Sequence, residues 1–529
     1  MYKAYDNFIK LAIKKLRRDT LSFAELKKNI CFELKLPMPT NADLREHYEK
    51  LIAQKIIQRN VQLEKILLSR KIRTQSGVAV VAVLTKSYPC PGQCLYCPTE
   101  KNMPKSYLSN EPAVMRAISA KFNPYRQVQS RLRSLELNGH QTDKIELIVM
   151  GGTFSALPKN YQQKFISECF RACNDYPKHG TWSMEHGTIS NLLREQFKNE
   201  KAKHRVIGLT LETRPDFIDK AEIINFRNLG ATRVELGIQS LYDDVLQKNK
   251  RGHKIEASIE ATKLLKNSGF KINYHMMPGL PGSSPKKDFL MFQKLFSESF
   301  FQPDMLKIYP TVVIKNSTLY KLWRQGKYQP LNDNQFKKLI LRIKKEAIPP
   351  YVRISRLVRD VPATSIMAGP KISNLRQLIA SESVCRCIRC REVGSNYDLK
   401  EKIILDRIDY NASGGKEIFL QYTSKNKKKL FALLRLRIPD DKNHFIPALR
   451  QAALIREVHT YGQLTQINKK NKKSPQHFGL GKKLMAEAEK IARREFGLRK
   501  MAVISGIGAR EYYRKLGYSQ KNGYMVKSI

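Results

Sequence analysis

The chain has 529 residues, 42% of them apolar, which is enough for two to four domains with cores of their own. Lys and Arg outnumber Asp and Glu 96 to 47, and the formal net charge of +49 points to a polyanionic partner. Nucleic acid ranks ahead of an anionic membrane, and adaptation to a basic proteome or to salt is the bland alternative. No stretch of about 18 apolar residues occurs, which excludes a helical membrane span.

The amino-terminal run MYKAYDNFIKLAIKKLRRDT has no apolar signal core and no small-residue cleavage site, so it reads as no secretory leader. A reducing, cytoplasmic setting is expected, with no membrane partner. Residues 1–75 form a basic helical region. In LREHYEKLIAQKIIQRNVQLEKILLSRK the apolar positions recur at helical spacing with Lys and Arg between them. That face is expected to contact RNA; a merely solvated helix surface is the alternative.

From 76 to 370, short apolar runs alternate with amphipathic stretches. Strands are predicted at 78–85, 145–152, 206–213, 233–240, 271–279 and 304–310. Six strands with crossover helices predict an α/β unit, a parallel sheet or partial (β/α)6 barrel, whose chemistry lies beyond the carboxyl ends of the strands. A cysteine-bearing linker follows at 371–400. The last unit, 401–529, is α+β: antiparallel strands in KEIFLQYT, KLFALLRLRIP and AALIREVHTYG, then the basic loop NKKNKKSP, a glycine turn, a helix, a strand and a last helix.

The nine cysteines are unevenly placed. Cys31, Cys169 and Cys173 read as ordinary buried or half-buried thiols. Clusters in a reducing compartment argue for metal rather than disulfides. Cys90, Cys94 and Cys97 follow the first strand. Three thiolates leave one iron of a cubane open, whereas structural zinc needs a distant fourth ligand. The spacing Cys-x3-Cys-x2-Cys resembles that of the radical S-adenosylmethionine superfamily, in which the open iron chelates the methionine end of the cofactor. The resemblance makes Tyr96 the aromatic residue near adenine. It also makes Gly151 and Gly152, in MGGTF, the backbone that receives the methionine amine; a tight turn is the plain alternative.

A second motif is Gln476-x-x-Gly479-x-Gly481, followed by a helix with Leu484, Met485, Ala488, Ile491 and Ala492 on one face. Small residues let a pyrophosphate approach the free N–H groups of a helix start. The order of strand, turn, helix and strand resembles the GNAT acetyltransferase fold. By that resemblance Glu457–Thr460 form the strand that splays to receive pantetheine, and Tyr512 and Tyr513 lie near the thioester sulfur. Tyr513 is favoured over Tyr512, with core packing as the alternative for both.

The combination resembles the catalytic subunit of the Elongator complex along nearly the whole chain, through IRTQSGVAVVAVLTK, NEPAVMRAI, VMGGTFSALP, LTLETRPD, VELGIQS, HMMPGLPGS, CRCIRCREVG, EVHTYG, AVISGIGAREYYRKLGY and YMVK. The resemblance implies a tRNA carboxymethyluridine synthase acting on the wobble uridine of the anticodon stem-loop. Its cofactors are a 4Fe-4S cluster, S-adenosylmethionine and acetyl-CoA. An adenosyl radical takes a hydrogen from the acetyl methyl group, the carbon radical adds to uridine, and the thioester is hydrolysed. An external electron donor is required, and partner subunits or a second copy are compatible.

Matching to the family gives Lys144 and Tyr513 as catalytic. It places Glu457, Val458, His459, Thr460, Leu480, Gly481 and Lys482 at acetyl-CoA, with Gln476, Gly479 and Tyr512 alongside. His275 and Lys307, near strand ends, are placed to face the cavity, but lone residues of this kind are more often structural and they are kept out of the catalytic set. Cys385, Cys387 and Cys390 fit zinc with one further ligand, a histidine from elsewhere; free thiols are the alternative. Two departures stand out. The cluster cysteines are closer together than in eukaryotic members, and Phe478 replaces a frequent Gln. The rival functions are a protein lysine acetyltransferase with a structural cluster and a non-catalytic tRNA-binding scaffold. Like-charge repulsion argues against a basic histone tail as substrate.

Overall fold

The computed structural model describes residues 2–16, 22–67, 77–176, 191–394, 401–441, 443–462 and 479–529. Helices Tyr2–Lys15, Phe23–Glu33, Asn41–Ala53 and Val61–Leu67 come first. Ser22 and Thr40 start the second and third with reciprocal capping boxes to Glu25 and Asp43. Phe8, Ile9, Leu26, Ile30, Leu44, Tyr48 and Leu51 turn inward at helical spacing and form a core separate from the rest. Lys10, Lys14, Lys28, Lys35, Lys55 and Arg59 are left exposed.

The next unit is a parallel sheet of β1 (Ala79–Leu84), β2 (Lys144–Met150), β3 (Arg205–Thr213), β4 (Arg233–Gln239), β5 (Lys271–Met276), β6 (Met305–Ile308) and β7 (Arg353–Arg356), hydrogen-bonded in that order. All six predicted strands are present within a few residues of their expected bounds. The seventh was not expected. Its sequence, RISR, carries no apolar run, because Arg353 and Arg356 line a cavity instead of packing under a helix. Alternation along the strands explains the rest. In β1 and β2, Ala79, Val81, Val83, Ile145, Leu147 and Val149 are buried in the core, while Val80, Ala82, Glu146 and Ile148 face the cavity. The sheet is a half-barrel with an outer apolar face and an inner face that becomes polar along its length.

The carboxy-terminal sheet contains β8 (Ile403–Asn411), β9 (Gly415–Ser424), β10 (Leu430–Pro439), β11 (Ala453–Thr460), β12 (Lys500–Val503), β13 (Ser519–Lys521) and β14 (Tyr524–Ser528), in the order β8-β9-β10-β11-β12-β14-β13. Only β11 and β12 are parallel in it. β8, β13 and β14 are additional to the expected strands. In β8 half-buried residues alternate with Leu405, Arg407, Asp409 and Asn411, all exposed, so its apolar signal is diluted. The helix Leu480–Phe496 buries Leu484, Met485, Ala488, Ile491 and Ala492 against this sheet, as its spacing predicts.

One continuous core runs through both sheets. The seam also carries buried charge. Arg437 donates to Glu417 at 3.0 Å and to Asn267 at 2.9 Å, and Lys266 lies 3.7 Å from Glu417. Such groups stay inside only because each is paired. Cys31, Cys169 and Cys173 are buried, as expected of ordinary thiols. Among the described residues no helix is long and apolar enough to cross a membrane.

Candidate active site

A cavity of about 860 Å³ opens on the inner face of the half-barrel. Cys90, Cys94 and Cys97 line it, on the loop that leaves the carboxyl end of β1. Backbone bonds fix that loop: Leu95 N–H donates to Asn249 O at 3.2 Å, and Leu319 N–H to Leu95 O at 2.8 Å. The Gly92 amide points at Cys90 Sγ, 3.4 Å away, and Arg251 Nη1 lies 3.5 Å from Cys94 Sγ. A hydrogen bond from Cys97, with the Arg251 guanidinium behind it, draws the Cys94 thiol down to about 4 against the pull of burial. The same bond, with burial, pushes Cys97 well up. Three thiols, an N–H donor and a buried cation are a donor set suited to an anionic iron–sulfur cluster. Tyr96, buried beside them, lines the same cavity.

Gly151 and Gly152 end β2 next to this loop, with φ of +133° and +96°. A Cβ on Gly151 would sit 2.0 Å from Thr85 Oγ1, so the close pass of the two strand ends requires glycine there. Gly152 is on the cavity wall.

Further along the inner face stands a polar group that the sequence reading left as structural. His275 Nε2 is 2.8 Å from Glu235 Oε2, Lys307 pairs with the same carboxylate, and Lys307 lies 3.6 Å from Glu212. Tyr107 donates to Glu212 at 2.7 Å. Burial would raise the Glu235 carboxyl, but Lys307, His275 and Arg233 hold it well below the usual carboxylate range. Both His275 and Lys307 face the cavity. Arg251 and Glu235 were missed altogether, since a single charge within or beyond an apolar strand gives no spacing to read.

The second candidate site lies on β11. Its parallel pairing with β12 ends at Ile455–Val503, and Glu457–Thr460 run on past it, which is the divergence expected of this strand. A Cβ on Gly481 would meet Tyr512 Oη at 3.3 Å, Thr460 Oγ1 at 3.6 Å and Val458 Cγ1 at 3.9 Å. Gly479, with φ +68°, opens the helix and has no side chain to cap it, so the amides of Leu480, Gly481 and Lys482 head the first turn without a cap from that residue. Of the two tyrosines, it is Tyr512 whose hydroxyl stands at this turn. Tyr513 is buried, with its ring 5.2 Å from Tyr512 and 6.1 Å from Tyr518. Gln476 and Phe478 lie outside the described residues.

Alternation divides the run Glu457–Thr460. Val458 and Thr460 reach Gly481, whereas Glu457 and His459, with Tyr461 beyond the strand, line the cysteine cavity. The acetyl-CoA list read from the sequence therefore spans two faces of one strand. Lys144, the first residue of β2, is at the opposite end of the half-barrel from the thiols. It pairs in register with Arg205, and a Cβ on Gly508 would lie 2.5 Å from Arg205 Cβ, so Lys144 is near the turn before Tyr512. Burial lowers its pKa.

Cys385, Cys387 and Cys390 present three sulfurs within 4.8 Å of one another, and no histidine joins the group among the described residues. They strap the sheets together: Ile388 N–H donates to Val352 O at 2.9 Å ahead of β7, and Val393 N–H to Leu430 O at 3.0 Å on β10. Three close thiols supply three of the four ligands that a structural zinc ion takes.

The radical SAM superfamily model matches residues 85–292, the radical SAM C-terminal domain 303–384 and the acetyltransferase (GNAT) family 472–518. The first of these implies a 4Fe-4S cluster and S-adenosylmethionine, which the cavity thiols fit. The tRNA uridine(34) acetyltransferase of Dehalococcoides mccartyi is 47% identical over 86% of this chain and 99% of its own length. Elongator complex protein 3 of Bos taurus is 39% identical over 88% of each chain. The solved structure of archaeal Methanocaldococcus infernus Elp3 with an amino-terminal deletion is 42% identical, covers 86% of this chain and all of that one, and superposes with a TM-score of 0.72. With the half-barrel, the thiol loop and the diverging strand in place, the chain belongs to the Elongator complex protein 3 family, which includes the tRNA uridine(34) acetyltransferases.

Proposed function

We propose that the protein forms 5-carboxymethyluridine at the wobble uridine of tRNA from acetyl-CoA. The observation that carries this reading is the shared cavity: the cluster thiols and the cavity-facing side chains of the acetyltransferase-like strand line one space. Two independent activities would need no common chamber. Cys90, Cys94 and Cys97 hold the cluster, Gly151 and Gly152 leave room for the methionine end of S-adenosylmethionine, and Tyr96 packs near its adenine. Together the cluster and S-adenosylmethionine supply a 5′-deoxyadenosyl radical able to take a hydrogen atom from the acetyl methyl group. Arg251 offsets thiolate charge. Glu235 orients Lys307 and His275, which offer donors to the carbonyls of a splayed-out uracil.

The chain divides by role into 1–75, which holds RNA phosphates, 76–370 for radical chemistry, 371–400 as a structural strap with zinc as the ion it suits, and 401–529 for acetyl-CoA. At the last, Gly479, Leu480, Gly481 and Lys482 cradle the pyrophosphate, Val458 and Thr460 follow the pantetheine, and Tyr512 with Tyr513 flanks the sulfur. Lys144 approaches from the opposite sheet. An electron donor is needed from outside.

The test is to incubate anaerobically reconstituted protein with tRNA, S-adenosylmethionine, a reductant and acetyl-labelled acetyl-CoA. Label recovered on uridine after nuclease digestion is the expected result. Label only on protein lysine would establish the rival acetyltransferase instead, and no transfer at all would leave a tRNA-binding scaffold.

A further inference from the structure

His459 occupies an unusual position in this arrangement. It sits on β11 between Glu457 and Tyr461, and all three side chains line the cavity that holds the cluster thiols. Its neighbours are committed. Glu457 accepts from Arg435 at 2.9 Å and from Lys271 at 3.1 Å, and Tyr461 Oη is 3.2 Å from Arg353 Nη1. His459 Nε2 is buried and makes no hydrogen bond to any of the described residues, although its ring is 4.4 Å from that of Tyr461. A buried polar atom without a partner is uncommon unless a ligand supplies one. Burial draws the imidazole down to about 4, so the ring is neutral at neutral pH.

The position of the acetyl group gives that nitrogen a task. Val458 and Thr460 hold the opposite face of the strand, against Gly481 and Tyr512. For the methyl group to be reached from the cluster, the thioester must pass from that face into the cavity. His459 and Thr460 are consecutive on β11 and face its two sides, so a thioester that crosses the strand there arrives beside the imidazole. We propose that His459 is the catalytic base that hydrolyses the thioester after the new carbon–carbon bond has formed. This rests on the carboxymethylation reading above.

The step balances without redox change. Nε2 takes a proton from water as the water oxygen bonds to the thioester carbonyl carbon. The carbon–sulfur bond then breaks, and Nε2 returns the proton to the departing sulfur. The products are CoA thiol and the carboxylic acid on uridine, which releases its proton to solvent to give the carboxylate.

The experiment is a single turnover with tRNA, S-adenosylmethionine, reductant and acetyl-CoA, reading 5′-deoxyadenosine, free CoA and the modified nucleosides separately. His459→Gln should form 5′-deoxyadenosine within about twofold of wild type, while CoA release falls by about 100-fold, the scale of a lost general base. Uridine still carrying the whole CoA thioester should accumulate. Thr460→Val, on the other face, should raise the KM for acetyl-CoA without accumulating that adduct. Wild-type protein in deuterated water should release CoA more slowly, with 5′-deoxyadenosine formation unchanged; this arm does not depend on a variant folding. CoA release by His459→Gln in wild-type proportion to 5′-deoxyadenosine would overturn the assignment, as would the absence of a solvent isotope effect. A wild-type protein that makes no carboxymethyluridine would instead remove the carboxymethylation reading itself.

Discussion

Arg456 and Asp304 join the two sheets through a two-pronged ion pair, Nη1 to Oδ2 at 2.8 Å and Nη2 to Oδ1 at 2.5 Å, with both side chains fully buried. Asp304 stands just ahead of β6 and Arg456 in the middle of β11. The carboxylate is shared: Lys266 lies 3.5 Å away and Arg435 3.6 Å. Burial alone would raise the Asp304 carboxyl, but Arg456, Lys266 and Arg435 bring it down to about 2. The pair fixes the strand that carries Glu457 and His459 against the half-barrel.

Removing the carboxylate leaves several buried cations uncompensated. Asp304→Asn is expected to destabilise the protein by about 3–5 kcal/mol, read as a lower denaturation midpoint in urea. An Asp304→Asn protein as stable as wild type would show that the remaining carboxylates carry the seam unaided.

The two cysteine groups should separate cleanly by metal analysis. Cys94→Ser should lose iron on reconstitution and form no 5′-deoxyadenosine, whereas Cys31→Ser, in the separate helical core, should retain both. Cys387→Ser should keep iron, lose zinc and melt at a lower temperature. Iron loss in Cys387→Ser, or zinc loss in Cys94→Ser, would reverse the two assignments.

At the glycine turn, Gly481→Ala puts a methyl group 3.3 Å from Tyr512 Oη, where the coenzyme has to approach. Acetyl-CoA binding should weaken by about tenfold, or ~1.4 kcal/mol, by calorimetry. Tyr512→Phe should impair binding or turnover more than Tyr513→Phe, because it is the Tyr512 hydroxyl that faces the turn. The opposite ranking would make Tyr513 the more important of the two at the sulfur.

Stability should also depend on mild acid through His444. Its Nδ1 accepts from the Ile446 amide at 3.0 Å, a bond that a protonated ring cannot keep, and burial draws its pKa from 6.5 to about 4. The folded state thus binds fewer protons than the unfolded chain between these values. Its contribution is complete above pH 6.5 and is lost as pH falls toward 4. The melting temperature should drop over that window in wild type and drop less in His444→Asn. Equal slopes would place the titration elsewhere.

Six of the seven half-barrel strands were legible because each carries three or more apolar residues, as a parallel sheet under helices demands. β7 was not, since Arg353 and Arg356 face the cavity and leave Ile354 as its one apolar residue. The thiols were legible from spacing alone. Glu235, Lys307 and Arg251 come from three separate segments and meet only in the folded chain, so nothing local announces them. The run Glu457–Thr460 was legible as a strand that runs on past its neighbour but not as a two-faced one. Its period of two is plain in the sequence; what each face would meet is decided by the half-barrel packed beside it.

Among the described residues the half-barrel does not close. β1 and β7 are its two free margins, and the cavity is bordered by Arg116 and Arg131 toward the first and by Arg356 and Arg376 toward the second. A sealed cylinder would admit only a detached nucleoside. A slot with cationic lips lets one base dip inward while the ribose-phosphate backbone on either side stays outside, so a nucleotide in the middle of an intact strand can be reached without cutting it.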